Sequence, residues 1–221
     1  MQGSSGGGHD LQSPETKKSI QSCQCTYGQS MMTTLKKPQL VVGISGATGI
    51  IYGIRLLQCL RETGIETHLI MSNAAHQAAA FESSMSTTDI HQLATRYHKM
   101  TDIAALVASG SYKTMGMIVA PCSMRTLADI ASGTTSNLLT RAADVVLKER
   151  RKLVLMTRES PLHLGHIRNM AKVTEMGAIV APLAPAFYNK PETIDDLVNH
   201  SVGRVLDLFD IDVGLVRRWG E

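Results

Sequence analysis

Residues Arg141 to Pro161, RAADVVLKERRKLVLMTRESP, decide the fold class. The stretch predicts an amphipathic helix, a basic turn, a buried strand and a charged pair. On the helix, Arg141, Asp144 and Lys148 are spaced i, i+3, i+7 and share one face. Leu153 to Met156 is a continuous apolar run, the pattern of a strand covered on both sides. Arg158 and Glu159 follow at once. In open α/β sheets ligands bind beyond the carboxyl ends of the strands, so this pair is placed to hold an anion and move a proton. The alternative is a surface ion pair after an ordinary strand.

Outward from this unit the same alternation continues. Leu40 to Ile44 reads as a buried strand, Ser45 to Gly49 (SGATG) as a turn, and Ile50 to Glu62 as a helix stopped by Gly64. Glu66 to Met71 reads as a strand with Ser72 just past its end. Ala74 to Phe81 predicts a short helix. Another, capped by Ser86 or Thr87, is expected to run to about Tyr97. Thr101 to Tyr112 has no clear period. Met115 to Ala120 reads as a strand stopped by Pro121, and Ser123 to Ala131 as a helix. His163 to Met176 predicts a helix, Ala178 to Ala181 a short strand, and 182–191 a proline-punctuated loop. A last helix spans about Thr193 to Phe209, with Ile194, Leu197, Val198, Val202, Val205, Leu206 and Phe209 as its apolar stripe and Arg204 off it. Strands alternating with helices mean an α/β fold with a mostly parallel sheet.

Composition narrows the function. The chain has 221 residues, 43% hydrophobic and 4% aromatic, so there are few rings for a single-stranded nucleic-acid platform. Residues 1–37 are rich in Gly, Ser, Gln and Thr without apolar periodicity, and predict a disordered N-terminal extension before a domain over 38–221. The extension's four lysines and two acids account for two of the three net positive charges, so the body is near neutral. That argues against general binding to nucleic acid or acidic membrane. No apolar run reaches membrane-span length. The N-terminus has no signal-peptide core and no Arg before Arg55, so a cytoplasmic protein is expected. Of the cysteines, Cys23 and Cys25 lie in the extension and Cys59 reads as packing. Cys122 is either buried filler or a neighbour of the ligand.

The first strand-turn-helix unit reads as a phosphate site or a plain tight turn. Gly43, Gly46 and Gly49 form G-x-x-G-x-x-G, which differs from the dinucleotide fingerprint, and there is no Walker lysine. Ser45 and Thr48 add hydroxyls there. Four strand ends share a character: SGAT, Ser72, Cys122-Ser123 and Arg158-Glu159. Together they would suit a planar, phosphate-bearing ligand. Ser123 alone reads as a helix cap.

VGISGATGIIYGIRLL, PCSMRTLADIASG, LLTRAADVVLKERRKLVLMTRESPLHLGHIRNM and PAFYNKPETIDDLV strongly resemble the flavin prenyltransferases. These are the UbiX-type proteins, once described as aryl-acid decarboxylases. The resemblance covers about residues 38–221. It implies a Rossmann-like (flavodoxin-like) three-layer sandwich. It also implies transfer of a dimethylallyl group from dimethylallyl monophosphate to N5 and C6 of reduced FMN, without a metal. The product is the cofactor of UbiD-type decarboxylases, and a homododecamer with sites at subunit contacts is expected. Carried over by motif, Gly46, Ala47, Thr48, Ser72, Ser123, Met124, Arg125, Thr126 and Arg158 would hold the flavin. Lys148, Tyr188 and Arg204 would clamp the prenyl phosphate, with Arg141 nearby and Glu82 arriving from a neighbouring subunit. Trp219 would lie over the prenyl pocket, and Glu159 would be the acid-base residue. Many members have SGASG where this chain has SGATG, and Thr48 keeps the hydroxyl. Two alternatives remain beside it: a flavin-dependent cysteine-type decarboxylase of the same fold, whose P-x-M-N stretch is absent here, and a non-catalytic FMN carrier.

Overall fold

A computed structural model describes residues 37–216, 218 and 220. Six strands form one sheet: β1 (Gln39–Ile44), β2 (Glu66–Met71), β3 (Arg96–His98), β4 (Gly116–Cys122), β5 (Lys152–Thr157) and β6 (Ile179–Val180). Their spatial order is β3-β2-β1-β4-β5-β6, and every pairing is parallel. Parallel neighbours need crossovers, which the helices supply: α1 (Ile50–Arg61), α2 (Asn73–Glu82), α3 (Thr87–Gln92), α4 (Met124–Ser132), α5 (Leu138–Lys148), α6 (Leu164–Glu175) and α7 (Ile194–Asp207). The chain turns from one half of the sheet to the other between β1 and β4. That crevice is where open α/β sheets take ligands.

Alternation along the strands sorts side chains into two layers. Leu40, Val42 and Ile44 of β1 join Leu56, Leu57 and Leu60 of α1 and Val198, Val202 and Leu206 of α7 in one core. Val41 of the same strand faces Leu127, Ala142, Val146 and Val173, from α4, α5 and α6, in the other. The sheet is thus the middle layer of a three-layer sandwich, as the family resemblance implies.

The structure corrects two boundaries, assigns one patternless stretch and removes one residue from a buried stripe. The helix expected to reach Tyr97 ends at Gln92, and Arg96–His98 instead forms β3. Thr67 and Thr95 lock that edge by exchanging bonds, each hydroxyl accepting from the other's backbone N–H at 3.0 Å. Tertiary pairing overrides local helix propensity here. Secondly, β4 does not stop at Pro121. It continues to Cys122 with its register against β5 shifted between Val119 and Cys122, so no ladder bond is asked of the proline's missing N–H. Thirdly, Leu106–Ala108 in the patternless stretch forms a 3-10 turn. Finally, Ile194 is 74% exposed and does not belong to the buried stripe of α7.

Close contact between α1 and the sheet depends on a glycine that motif counting passes over. A Cβ at Gly53 would lie 2.4 Å from the Ala120 carbonyl oxygen and 2.7 Å from Ile44 Cδ1. A side chain there would push the helix off the strand ends.

Candidate active site

The four strand ends singled out in sequence are neighbours in the sheet, since β2, β1, β4 and β5 are consecutive. Backbone bonds tie them together. Ser72 N–H donates to Ile44 O at 3.0 Å, Ser45 N–H to Pro121 O at 3.1 Å, and Arg158 N–H to Cys122 O at 3.2 Å. Ser45 is 1% exposed. Its hydroxyl donates to Pro121 O at 3.0 Å and accepts from Ser123 N–H at 2.8 Å. It therefore lies beneath the rim as a staple across the β1/β4 switch point.

Above this staple lies a cleft of about 740 Å³, within the usual range for small-molecule sites. Three helices begin on it. Ser72 Oγ accepts from Ala75 N–H at 3.1 Å to cap α2, and Ser123 Oγ accepts from Thr126 N–H at 3.3 Å to cap α4. Asn137 Oδ1 accepts from Thr140 N–H at 3.0 Å to cap α5. Each cap satisfies one first-turn donor and leaves others facing the cleft. Three helix N-termini on one space also sum their positive ends there, which favours an anion. Met124, Arg125 and Thr126 line the same wall, and Glu159 stands on the rim. At Gly46 an added Cβ would come 2.3 Å from Ala74 Cβ, so α2 approaches the first loop as closely as backbone allows.

The structure redistributes the phosphate reading. The N-terminus of α1, expected to present free donors, is taken by Glu82, whose carboxylate accepts from Gly49 N–H at 2.7 Å and Ile50 N–H at 3.0 Å. Glu82 thus sits beside the first loop of its own chain, where the resemblance has it arriving from a neighbour. Anion-binding capacity lies with α2, α4 and α5 instead. Cys122 is buried, and burial pushes its thiol up to about 12, the behaviour of a small packed side chain. Among the described residues, Arg158 makes no ion pair. Glu159 is exposed and accepts from Ser160 N–H at 3.1 Å.

The three expected clamp residues do not all meet within one chain. Tyr188, on the proline-punctuated loop, contacts His200 of α7 through a 2.9 Å bond, and Arg204 lies one turn further along that helix. Lys148 ends α5, in the layer on the opposite face of the sheet, where it pairs with Glu149. Arg141 donates to Asp144 at 2.8 Å and to Ala108 O at 3.3 Å on that same side. Trp219 lies outside the described residues. Thr48 and Ala47 stand on the first loop. Leu183, which leads into the Tyr188 loop, donates its N–H to Thr157 O and lies over Gly49.

Sequence reading missed two contributors to the cleft wall: Asn137 and the Met100–Ile103 segment. Asn137 had a signal, an Asn directly before an apolar helical run. The Met100–Ile103 segment had none, because only the fold brings it to the cleft. Among the described residues, no group of three or more His, Cys, Asp or Glu side chains is placed to hold a metal ion.

A parallel sheet with a cleft ringed by helix N-termini at its switch point has the architecture of a nucleotide-binding protein, and the Flavoprotein family model matches residues 29–206. The chain is 55% identical to the flavin prenyltransferase UbiX of Thauera aromatica over 181 residues, covering 82% of this chain and 93% of that protein. With these relatives it belongs to the flavin prenyltransferase family. A crystal structure of AnUbiX (PadA1) in complex with FMN and dimethylallyl pyrophosphate superposes with a TM-score of 0.83 at 48% identity, over 84% of this chain and 99% of that one. A dodecameric FMN-dependent UbiX-like decarboxylase from Escherichia coli O157:H7 gives 0.81 at 50% identity, over 83% and 100%.

Proposed function

We propose that the protein transfers a dimethylallyl group from dimethylallyl monophosphate to N5 and C6 of reduced FMN, making prenylated FMN for a UbiD-type decarboxylase in the cytoplasm. The observation that carries this reading is the convergence of three capped helix N-termini and the exposed carboxylate of Glu159 on one cleft. The donor set fits a flavin mononucleotide. First-turn N–H groups of α2 and α4, with Arg125, take its phosphate, while Gly46, Ala47, Thr48 and Arg158 border the ring. Reduced flavin supplies the electron-rich N5 and C6 atoms. Departure of the allylic phosphate leaves positive charge on the prenyl carbon and one further negative charge on phosphate. Tyr188 and Arg204 stabilise that leaving group more as charge separates. Glu159 accepts the proton lost on ring closure or passes one to phosphate.

Lys148 and Arg141 join such a clamp only from another subunit, because α5 and α7 cover opposite faces of the sheet. Exposed apolar side chains support an assembly. Phe81 is 91% exposed, and Leu164 and Ile167 leave α6 with only Val173 buried. A homo-oligomer, a dodecamer in our reading, covers those surfaces and completes the site. Residues 1–37 are proposed as an extension dispensable for both. No helix among the described residues is long and apolar enough to cross a membrane.

The test is direct. Protein, reduced FMN and dimethylallyl monophosphate are mixed without oxygen, and the flavin is analysed by mass spectrometry. Gain of one prenyl unit is expected. Unchanged FMN would mean a carrier instead.

A further inference from the structure

We propose that Asn137 binds the flavin phosphate through its side-chain amide, as a third donor beside the first turns of α2 and α4. This rests on the reading of the cleft as the seat of a flavin mononucleotide. It gives a ligand to a residue whose place in the chain alone would make it a helix cap.

The start of α5 uses its donors differently from the other two helices on the cleft. Leu138 N–H donates to Met100 O at 2.9 Å, and Arg141 N–H to Asn137 O at 2.9 Å. Thr140 N–H donates to Asn137 Oδ1 at 3.0 Å. That leaves Leu139 N–H in the first turn, and Leu139 is buried. By contrast, among the described residues, α2 keeps the N–H groups of Asn73 and Ala74 without a partner, and α4 keeps those of Met124 and Arg125. What α5 can offer an anion is therefore carried by the side chain of Asn137, which lines the cleft.

The cap decides which way that amide points. A backbone N–H can only donate, so the atom facing Thr140 is the amide oxygen, and Nδ2 with its two N–H groups points the other way. Among the described residues no acceptor bonds Nδ2, and the two acids on the cleft, Asp129 and Glu159, make no bond to it. A pair of unused donors beside three positive helix ends suits a charged acceptor, which bonds more strongly than a neutral one. The cap also holds the side chain in one orientation, so little freedom is lost on binding.

Capping by itself does not call for the nitrogen. Ser, Asp and Asn cap helices about equally well, because the cap needs only an oxygen. Ser72 and Ser123 do the same work for α2 and α4 with hydroxyls. The amide nitrogen of Asn137 is what distinguishes the third cap from those two.

The experiment measures the affinity of the full-length protein for oxidised FMN and for riboflavin, which lacks the phosphate, together with the Tm of the flavin-free protein. Asn137→Ser keeps a capping oxygen and removes the amide, so FMN binding should weaken roughly 10- to 150-fold, the value of one hydrogen bond to a charged group. Asn137→Asp keeps size and cap but puts a negative oxygen where the donors were. FMN binding should weaken at least as much, while Tm holds or rises, because Asp caps as well and adds negative charge at the positive helix end. Riboflavin affinity should not change in either variant. Unaltered FMN binding in both variants would reduce Asn137 to a cap. Equal loss of FMN and riboflavin would put the amide on the ring or the ribityl chain and overturn the phosphate assignment. Loss of FMN only in company with a lowered Tm would show a structural role and overturn it too. A wild-type protein that binds riboflavin as tightly as FMN would instead overturn the seating of the phosphate on which the proposal rests.

Discussion

Replacing Ser45 by Ala tests whether the site is built on the staple beneath it. The change removes one oxygen from a buried position. Pro121 O loses the 3.0 Å bond from the hydroxyl but keeps Ser45 N–H at 3.1 Å, so its loss is that of one ordinary hydrogen bond, about 0.5–1.5 kcal/mol. Ser123 N–H loses its 2.8 Å acceptor, and an unsatisfied buried donor costs about 1–3 kcal/mol. Together the expected destabilisation is about 2–4 kcal/mol. For a folded region of this size that corresponds to roughly 5–15 °C in Tm. The measurement is thermal and denaturant unfolding at fixed protein and FMN concentration, because ligand and subunit association both shift apparent stability. FMN affinity should fall as well, since Ser123 caps α4 at the cleft. A loss below about 0.5 kcal/mol, the scale of an ordinary surface change, with unchanged FMN binding would refute the reasoning.

Three other outcomes are expected. Glu159→Gln should keep FMN binding while the rate of prenylated product falls roughly 10²-fold or more; near-normal single-turnover rates would reduce Glu159 to a bystander. Gly53→Ala should destabilise by about 1–3 kcal/mol through the 2.4 Å clash with Ala120 O, although helix propensity alone predicts a gain of about 1 kcal/mol; a stabilised variant in denaturant melts contradicts the close packing. Desolvation lowers His76, His91, His98 and His200 below the usual 6.5. The unfolded chain therefore binds more protons just below pH 6.5, so stability present above that pH is lost as pH falls through the folded values. Tm should drop between pH 7.5 and 5.5, and a flat or rising Tm would count against it.

How much of this was legible depends on which interactions are local. Leu153–Met156 and Leu40–Ile44 announced buried strands, because a strand covered on both faces must be apolar at every position. Ser72 and Ser123 announced helix starts, because a cap bonds within its own turn. The motif run from Arg141 to Glu159 and its co-occurrence with PAFY pointed to the family. Other features follow from contacts between distant residues. Arg96–His98 became a strand because β2 offered a free edge. Ser45 became a staple because Pro121 and Ser123 lie 76 and 78 residues away and the fold returns them to it. Glu82 took the N-terminus of α1, which local reading had left open for phosphate. Lys148 and Arg204 parted because side-chain spacing fixes a face of a helix but not the face of the sheet that the helix covers. The sequence by itself determined most of the elements, the rim residues and the family. Only the tertiary structure decided which rim residues meet, because that depends on strand order and layer, which are set by burial summed over the whole chain.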